Sequence, residues 1–407
     1  MTSEWKTYTV QELIDAGMLE EPLDGNHGSI HPKASDYVSS GVPFIMANNL
    51  VNGKVDYNNC VYITEKQAST LRKGFAKPGD VLLTHKATIG RTAIVGNEYE
   101  TTILTPQVTY YRVKHGISNR YLKYYFDSPK FQHLFSNWAG SGSTRAYLGI
   151  TAQHKLPIIL PPYETQLKIA QCCGVLDDKI FHNQSVNDNL EQQAQAYFQE
   201  LFVDNSDPAW TLGTVSNLGA VIGGSTPSKS KPEYYTEGGI AWITPKDLSI
   251  NKAKFISHGE NDITELGLKN SSASIMPEGT VLFSSRAPIG YIAIASGEVT
   301  TNQGFKSVVP KPEIGTAYVY CFLKHNLPVI EGMASGSTFK EVSRSTMKNV
   351  PAVIPDTETL ACFNNFCAPI FAQQRILEEQ NQSLATLRDS LLPKLMSGEI
   401  DVSDIQL

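Results

Sequence analysis

The 407-residue chain holds only six cysteines (Cys60, Cys172, Cys173, Cys321, Cys362 and Cys367), and no two of them form a C-x-x-C pair. Neither a disulfide framework nor a thiolate zinc site is therefore indicated. No apolar run approaches the ~18 residues that a membrane span needs. Met1–Trp5 opens no secretory leader, so a soluble, cytoplasmic protein is expected. Charged residues make up 18% of the chain and apolar residues 41%, which suits packed globular domains rather than disorder. The length is two to three times that of a common domain, so more than one core is implied.

Catalytic signatures are also missing. There is no G-x-x-x-x-G-K-[ST] phosphate loop, no H-E-x-x-H and no G-x-S-x-G elbow. Gly223-Gly224-Ser225-Thr226-Pro227 lacks the Lys-Ser/Thr that would hold phosphate and metal, and reads as a turn. Leu160-Pro161-Pro162-Tyr163 resembles the Asp/Asn-Pro-Pro-Tyr loop of amino-methyltransferases, but Leu160 cannot hydrogen-bond an exocyclic amine. The two prolines instead mark a helix start. His27 and His31 have ligand spacing, yet Gly28 and Pro32 keep them off a helix face. Asp177 and Asp178 point ~100° apart on a helix and read as a solvated face. No residue is assigned to catalysis or metal binding, and no cofactor to this chain.

A net charge of −6 by itself counts against nucleic acid as a partner, but its distribution removes the objection. Residues 1–160 carry 16 Lys+Arg against 13 Asp+Glu (+3), and residues 207–355 carry 13 against 12 (+1). Residues 161–206 carry 2 against 7 (−5), and residues 356–407 carry 3 against 8 (−5). The net acidity is confined to the two short segments.

This alternation reflects a duplication. Residues 79–95 (GDVLLTHKATIGRTAIV) match residues 279–295 (GTVLFSSRAPIGYIAIA) at eight of 17 positions. Gly41-Val42-Pro43-Phe44-Ile45 aligns with Gly239-Ile240-Ala241-Trp242-Ile243, and Ser141-Gly142-Ser143-Thr144 recurs as Ser335-Gly336-Ser337-Thr338. Pro157, Pro161 and Asn187 return as Pro351, Pro355 and Asn381. The chain is thus two copies of a ~200-residue unit. Each copy starts with a mixed α/β part. Strands are expected at Val81-Leu82-Leu83, Thr92–Val95, Val281-Leu282-Phe283 and Ile292-Ala293-Ile294, and helices near 119–135 and 316–327.

Each copy ends in one long helix. Ile169, Leu176, Asn183, Leu190 and Tyr197 recur every seven residues, beside Cys173, Ile180, Asn187, Ala194 and Leu201. Phe363, Ile370, Leu377, Leu384 and Leu391 do the same, beside Cys367, Gln374, Asn381, Arg388 and Leu395. These are a/d seams of a coiled coil, with Asn187 and Asn381 as register-setting polar residues. Antiparallel pairing of the two helices gives the two copies a pseudo-two-fold relation. The expected fold is α+β, with a first domain at 1–160, a helix at 161–206, a second domain at 207–355 and a helix at 356–407.

The whole chain resembles the specificity subunit of type I restriction–modification enzymes. The resemblance rests on Gly223 through Pro227, Pro232-Glu233-Tyr234-Tyr235, Trp242 through Leu248 and residues 279–304 for a target-recognition domain. Leu176-Asp177-Asp178-Lys179-Ile180, Asn187-Asp188-Asn189-Leu190 and Phe198 through Asp204 carry it for the central helical region, and Leu384 through Arg388 with Leu391 through Ile400 for the terminal one. It implies two target-recognition domains, each reading one half of a bipartite site in double-stranded DNA. It also implies that the helices form an antiparallel coiled coil that sets the spacer and docks two methyltransferase subunits. These would bring S-adenosylmethionine, and motor–nuclease subunits would bring ATP. The chain itself would be non-catalytic. Glu20 through His31 departs from the family pattern in the first copy. A coiled-coil scaffold that does not bind DNA, or an enzyme with an unrecognised site, are the alternatives.

Polar residues at strand ends and loops are the candidate DNA contacts. In the first copy these are His85, Lys86, Thr88, Arg91, Gln107, Ser141, Ser143, Thr144 and Arg145. In the second they are Ser225, Thr226, Lys246, Ser284, Ser285, Arg286, Asn302, Gln303, Ser337, Thr338 and Lys340. A turn copied with the fold is the competing reading of the Ser-Gly-Ser-Thr runs. Positions identical in both copies should serve the fold, and positions that differ should read bases. With readers this weakly basic, a partner is expected to supply much of the phosphate neutralisation.

Overall fold

The computed structural model describes residues 5–140, 146–336 and 340–405. The chain divides into two compact units, one from residues 1–179 with 383–407 and the other from 180–382. Both long helices contribute to both units. They are α1 (Tyr163–Gln199), prolonged by a π turn at Glu200–Asp204, and α2 (Thr357–Ser397).

In the first unit a six-stranded sheet runs Leu23–Asp24, Val108–Tyr111, β1 (Val81–Lys86), β2 (Thr88–Ile94), Gly53–Val55, Leu50–Val51. A five-stranded sheet runs Tyr37–Val38, Val61–Ile63, Val42–Ile45, Thr102–Leu104, Phe75–Ala76. The apolar run Val81-Leu82-Leu83 is fully buried, as a central strand covered on both faces requires. Helices Asn119–Asp127 and Pro129–Trp138 close the main core with Tyr121, Phe126, Phe131 and Phe135.

The second unit repeats the plan. One sheet runs Gly219–Gly223, Lys306–Pro310, β3 (Val281–Ser285), β4 (Ile289–Ala295), Phe255–Ile256, and the other runs Tyr235–Thr236, Asn261–Ile263, Ile240–Ile243, Thr300–Thr301. Its covering helix is Thr316–His325. The strands and helices expected from the sequence stand where the pattern places them. In both hairpins the register slips, between Ile89 and Thr92 and between Phe283 and Ser285. Gly90 at φ +84° and Gly290 at φ +94° accommodate the slip, in a backbone region that other residues enter only with strain.

The helix pairing is antiparallel within each unit. In the first, Lys168 Nζ donates to the Ser403 carbonyl and Asp177 pairs with Arg388 at 2.6 Å, so residue numbers rise along α1 as they fall along the opposing segment. Ile169, Ala170 and Cys173 share a core with Leu392 and Leu395. In the second, Asn183 meets Asn381, Gln374 Nε2 donates to the Asn187 carbonyl at 3.2 Å, and Tyr197 packs on Phe363 and Phe366. Of the expected seam residues, Ile370, Leu377 and Leu395 are buried. Leu176, Ile180, Asn187, Leu190, Tyr197, Leu201, Asn381, Leu384 and Leu391 are half-buried. Cys173, Asn183, Ala194 and Phe198 lie deeper. The repeat pairs Asn187 with Asn381, but the hydrogen-bonded partner of Asn381 is Asn183. Residues equivalent by duplication need not face one another in an antiparallel pair.

The solvated face expected for Asp177 and Asp178 is corrected for Asp177, while Asp178 is exposed as expected. Asp177 is only 20% exposed and takes Tyr124 Oη at 2.6 Å, Lys123 Nζ at 3.3 Å and Arg388 Nη1 at 2.6 Å. Burial pushes its carboxyl up, but Lys123, Tyr124 and Arg388 outweigh burial and hold it below its ordinary range. Asp178 pairs with Arg120 at 2.7 Å. Their side chains diverge around the helix, so each finds a different cation on the preceding domain.

Candidate nucleic-acid interface

Most of the described candidate contacts cluster where the β1–β2 and β3–β4 hairpins meet residues near 146–148 and 340–342, late in each globular domain. The same backbone bonds build both places. His85 N donates to the Gln107 carbonyl and Leu148 N to the His85 carbonyl; Ser285 N donates to the Gly304 carbonyl and Val342 N to the Ser285 carbonyl. Arg91 N bonds Thr84 Oγ1 at 2.9 Å, as Tyr291 N bonds Ser284 Oγ at 2.8 Å. These bonds make His85 equivalent to Ser285, and therefore Lys86 to Arg286 and Tyr147 to Glu341.

Burial corrects three candidates. His85, Ser284 and Ser285 are fully buried, because these central strands are covered on both faces. His85 Nδ1 is 3.0 Å from the Leu148 carbonyl, and Ser285 Oγ donates to the Gly304 carbonyl at 3.1 Å. Ser284 Oγ donates to the Pro288 carbonyl at 2.9 Å. Their side chains hold the loop bases and do not reach a ligand.

In the first unit Lys86, Thr88 and Arg91 are exposed and Gln107 is half-buried. Lys86 Nζ lies 5.8 Å from the ring centroid of Tyr147, itself 49% exposed. Glu20 through His31, the stretch that departs from the family pattern, takes the path of the Gly-rich turn. Leu23–Asp24 pairs with the Val108–Tyr111 strand, as Gly219–Gly223 pairs with Lys306–Pro310. A Cβ on Gly25 would collide with the Leu104 carbonyl, and one on Gly224 with the Asn302 and Thr301 carbonyls. Only glycine permits either approach. Asp24 is buried, shared by Lys73 and by His27 Nε2 at 2.8 Å, with His85 Nε2 at 3.9 Å. Burial lowers the His85 pKa, which keeps its ring neutral. His31 meets the Phe44 ring at a tilt, centroids 5.6 Å apart, while His27 bonds Asp24, so the two histidines of the ligand-like spacing have different partners.

In the second unit Arg286 Nη1 and Lys306 Nζ both sit 3.3 Å from the Glu341 carboxylate. Lys306 Nζ also reaches the Gln303 carbonyl at 3.1 Å and Ser285 Oγ at 3.3 Å, and Thr226 Oγ1 bonds Gln303 Oε1. Thus Thr226, Gln303 and Arg286 are brought together. Ser225 instead caps neighbouring backbone, accepting from Ser272 N at 3.3 Å, while Asn302 Oδ1 accepts from Gly304 N at 2.8 Å. Lys246 is exposed and paired with Glu260 at 2.6 Å; Lys340 is exposed. Ser141, Ser143, Thr144, Arg145, Ser337 and Thr338 lie outside the described residues. Sequence reasoning passes over Lys306, Glu341 and Tyr147. Residues 341 and 147 share the offset of 194 that relates the Ser-Gly-Ser-Thr runs, which is the signal that picks them out.

A second polar cluster ties this unit to both helices. Lys254 Nζ, with 5% side-chain exposure, takes Glu191 Oε2 and Gln374 Oε1, each at 2.8 Å, and lies 3.2 Å from the Phe371 ring centroid. Glu378 accepts the backbone N–H of Lys254 and Phe255 at 2.8 and 3.0 Å. Burial pushes the Glu191 carboxyl up, but Lys254 and Lys324 more than offset this and hold it at about 2. Burial draws the Lys254 amine below its usual pKa.

Among the described residues no His, Cys, Asp and Glu group is placed to hold a metal ion, and no helix is long and apolar enough to cross a membrane. A family model described as the type I restriction modification DNA specificity domain matches residues 2–192 and 209–388. The chain is 39% identical over 191 residues to the type I restriction enzyme MjaIX specificity subunit of Methanocaldococcus jannaschii, across 45% of this chain and 44% of that one. This match spans less than half the length of that relative. It is 24% identical to the HindI specificity subunit of Haemophilus influenzae across 98% of this chain and 100% of that one. The crystal structure of the type I restriction–modification S subunit from M. genitalium superposes with a TM-score of 0.56 at 14% identity, over 96% of each chain, which shows a shared fold.

Proposed function

Because the chain belongs to the family of type I restriction–modification DNA specificity domains, we propose that it is the DNA-reading subunit of such a complex, each unit recognising one half of a bipartite site. The observation that carries this reading is the duplicated loop cluster. Common backbone bonds hold it in both units, yet it presents Lys86 and Tyr147 in one and Arg286 and Glu341 in the other. One scaffold with two sets of donors and acceptors suits two different half-sites.

The chain does no chemistry itself and binds no cofactor. Two methyltransferase subunits dock on the helices and bring S-adenosylmethionine, and motor–nuclease subunits bring ATP. The assembly works in the cytoplasm. The antiparallel helices set the spacer between half-sites, and the partners supply the phosphate neutralisation that the +3 and +1 readers lack.

The decisive experiment is single-molecule methylation sequencing of a host carrying the methyltransferase genes with and without this chain. The expected result is adenine methylation at one bipartite motif only when the chain is present. Methylation that is absent, or that is indifferent to the chain, overturns the reading.

A further inference from the structure

We propose that Arg286 and Glu341, braced by Lys306, select a G·C base pair in the half-site read by the second unit. The inference rests on the DNA-reading role above and names the side chains that discriminate.

Glu341 is fixed before any ligand arrives. Its backbone exchanges hydrogen bonds with Ser335 at 2.9 and 3.1 Å, and its carboxylate takes one contact from each cation. Arg286 is 38% exposed and Glu341 35%, whereas Lys306 is 12% exposed and anchored on Ser285 and Gln303. An ion pair this exposed contributes little to stability. A carboxylate among the contacts also works against simple phosphate binding, since it repels the backbone. Base edges are different. A guanidinium fork donates to guanine O6 and N7, and a carboxylate accepts from cytosine N4, so a preset Arg–Glu pair matches the two partners of a G·C pair.

The first unit supplies the contrast. Its equivalent positions are Lys86 and Tyr147, with Thr109 standing where Lys306 stands. Its nearby carboxylate, Asp24, is buried and occupied by Lys73 and His27. These positions therefore offer no exposed acid to a base. Since the backbone is shared, the difference lies in what is read.

The test uses the full chain co-purified with its methyltransferase partners. Affinity is measured for duplexes in which each base pair of the methylated motif is replaced in turn. The wild-type complex is expected to lose about ten-fold in affinity when one G·C pair of one half-site is replaced. Glu341→Gln and Arg286→Gln should each shrink that penalty to about three-fold or less and leave every other position, including the whole first half-site, unchanged. Unaltered penalties in both variants overturn the proposal, as does a uniform loss of affinity regardless of sequence. Thermal scans showing that both variants are unfolded make the cluster a structural clamp, and also overturn it. A wild-type complex without a bipartite motif instead defeats the DNA-reading role itself.

Discussion

Asn183, 1% exposed on α1, donates its side-chain amide to Asn381 Oδ1 on α2 at 2.9 Å. The pair lies in the helix seam of the second unit, beside the contact of Gln374 with the Asn187 carbonyl. A shift of one helix by a single turn would break this bond, so it favours one register at some cost in stability.

Asn183→Leu alone is expected to destabilise the chain by about 1–2 kcal/mol, because it leaves Asn381 facing an apolar surface. Asn183→Leu with Asn381→Leu should recover most of that loss or exceed wild type. Urea unfolding of the single and double variants decides the matter. A single substitution that stabilises the chain would remove Asn183 from any role in register.

The Glu191–Lys254 pair makes stability depend on acid. Its carboxyl titrates near 4.5 when unfolded and near 2 when folded. The contribution is therefore complete above about pH 4.5 and is lost as pH falls towards 2, a span corresponding to about 3 kcal/mol. Glu191→Gln should flatten this limb of the stability curve, measured by denaturant unfolding at successive pH values. Lys254→Met should cost about 2–3 kcal/mol at neutral pH, since it removes one of the two cations on a buried carboxylate and leaves only Lys324 beside it.

Gly25→Ala and Gly224→Ala should each cost about 1–3 kcal/mol, because the added methyl enters a carbonyl contact of a packed strand. Gly297→Ala is a useful comparison: like Gly25 and Gly224 it has no positive φ, but a Cβ there has open space around it. Thermal unfolding checks both, and an effect at Gly25 no larger than at Gly297 would show that the close approach is relaxed at no cost.

Seven residues added to both helices in step, between Asn183 and Glu191 and between Gln374 and Asn381, lengthen each by ~10 Å at 1.5 Å per residue. On the proposed function the spacer should grow by about three base pairs, at 3.4 Å each, with both half-sites unchanged. Methylation sequencing reads the outcome directly; an unchanged spacer would separate the helices from the ruler role.

Much of this is legible in the chain itself. The 200-residue duplication, the β1–β2 and β3–β4 hairpins and the heptads of both helices follow from local periodicity and from comparing one half with the other. The buried His85 shows where that reading stops. It sits beside exposed Lys86, and sequence offers no way to tell which neighbour faces inward until strand register is known. Asp177 and Glu191 look like ordinary acids of a solvated helix, and each becomes a lock because a distant segment brings a cation to it.

What the sequence determines alone is composition, periodicity and repeat, and through them the number of copies, the kinds of element and the family. These depend on neighbours a few residues apart or on matched strings. Tertiary structure alone decides that Asn381 meets Asn183 and not its repeat mate Asn187. It likewise decides that Glu341 gathers Arg286 and Lys306, and that Gly25 does in the first unit what Gly224 does in the second. Each is a contact across tens to hundreds of residues, set by strand register and helix phase, which the packing of the two cores fixes together and no short stretch of chain encodes.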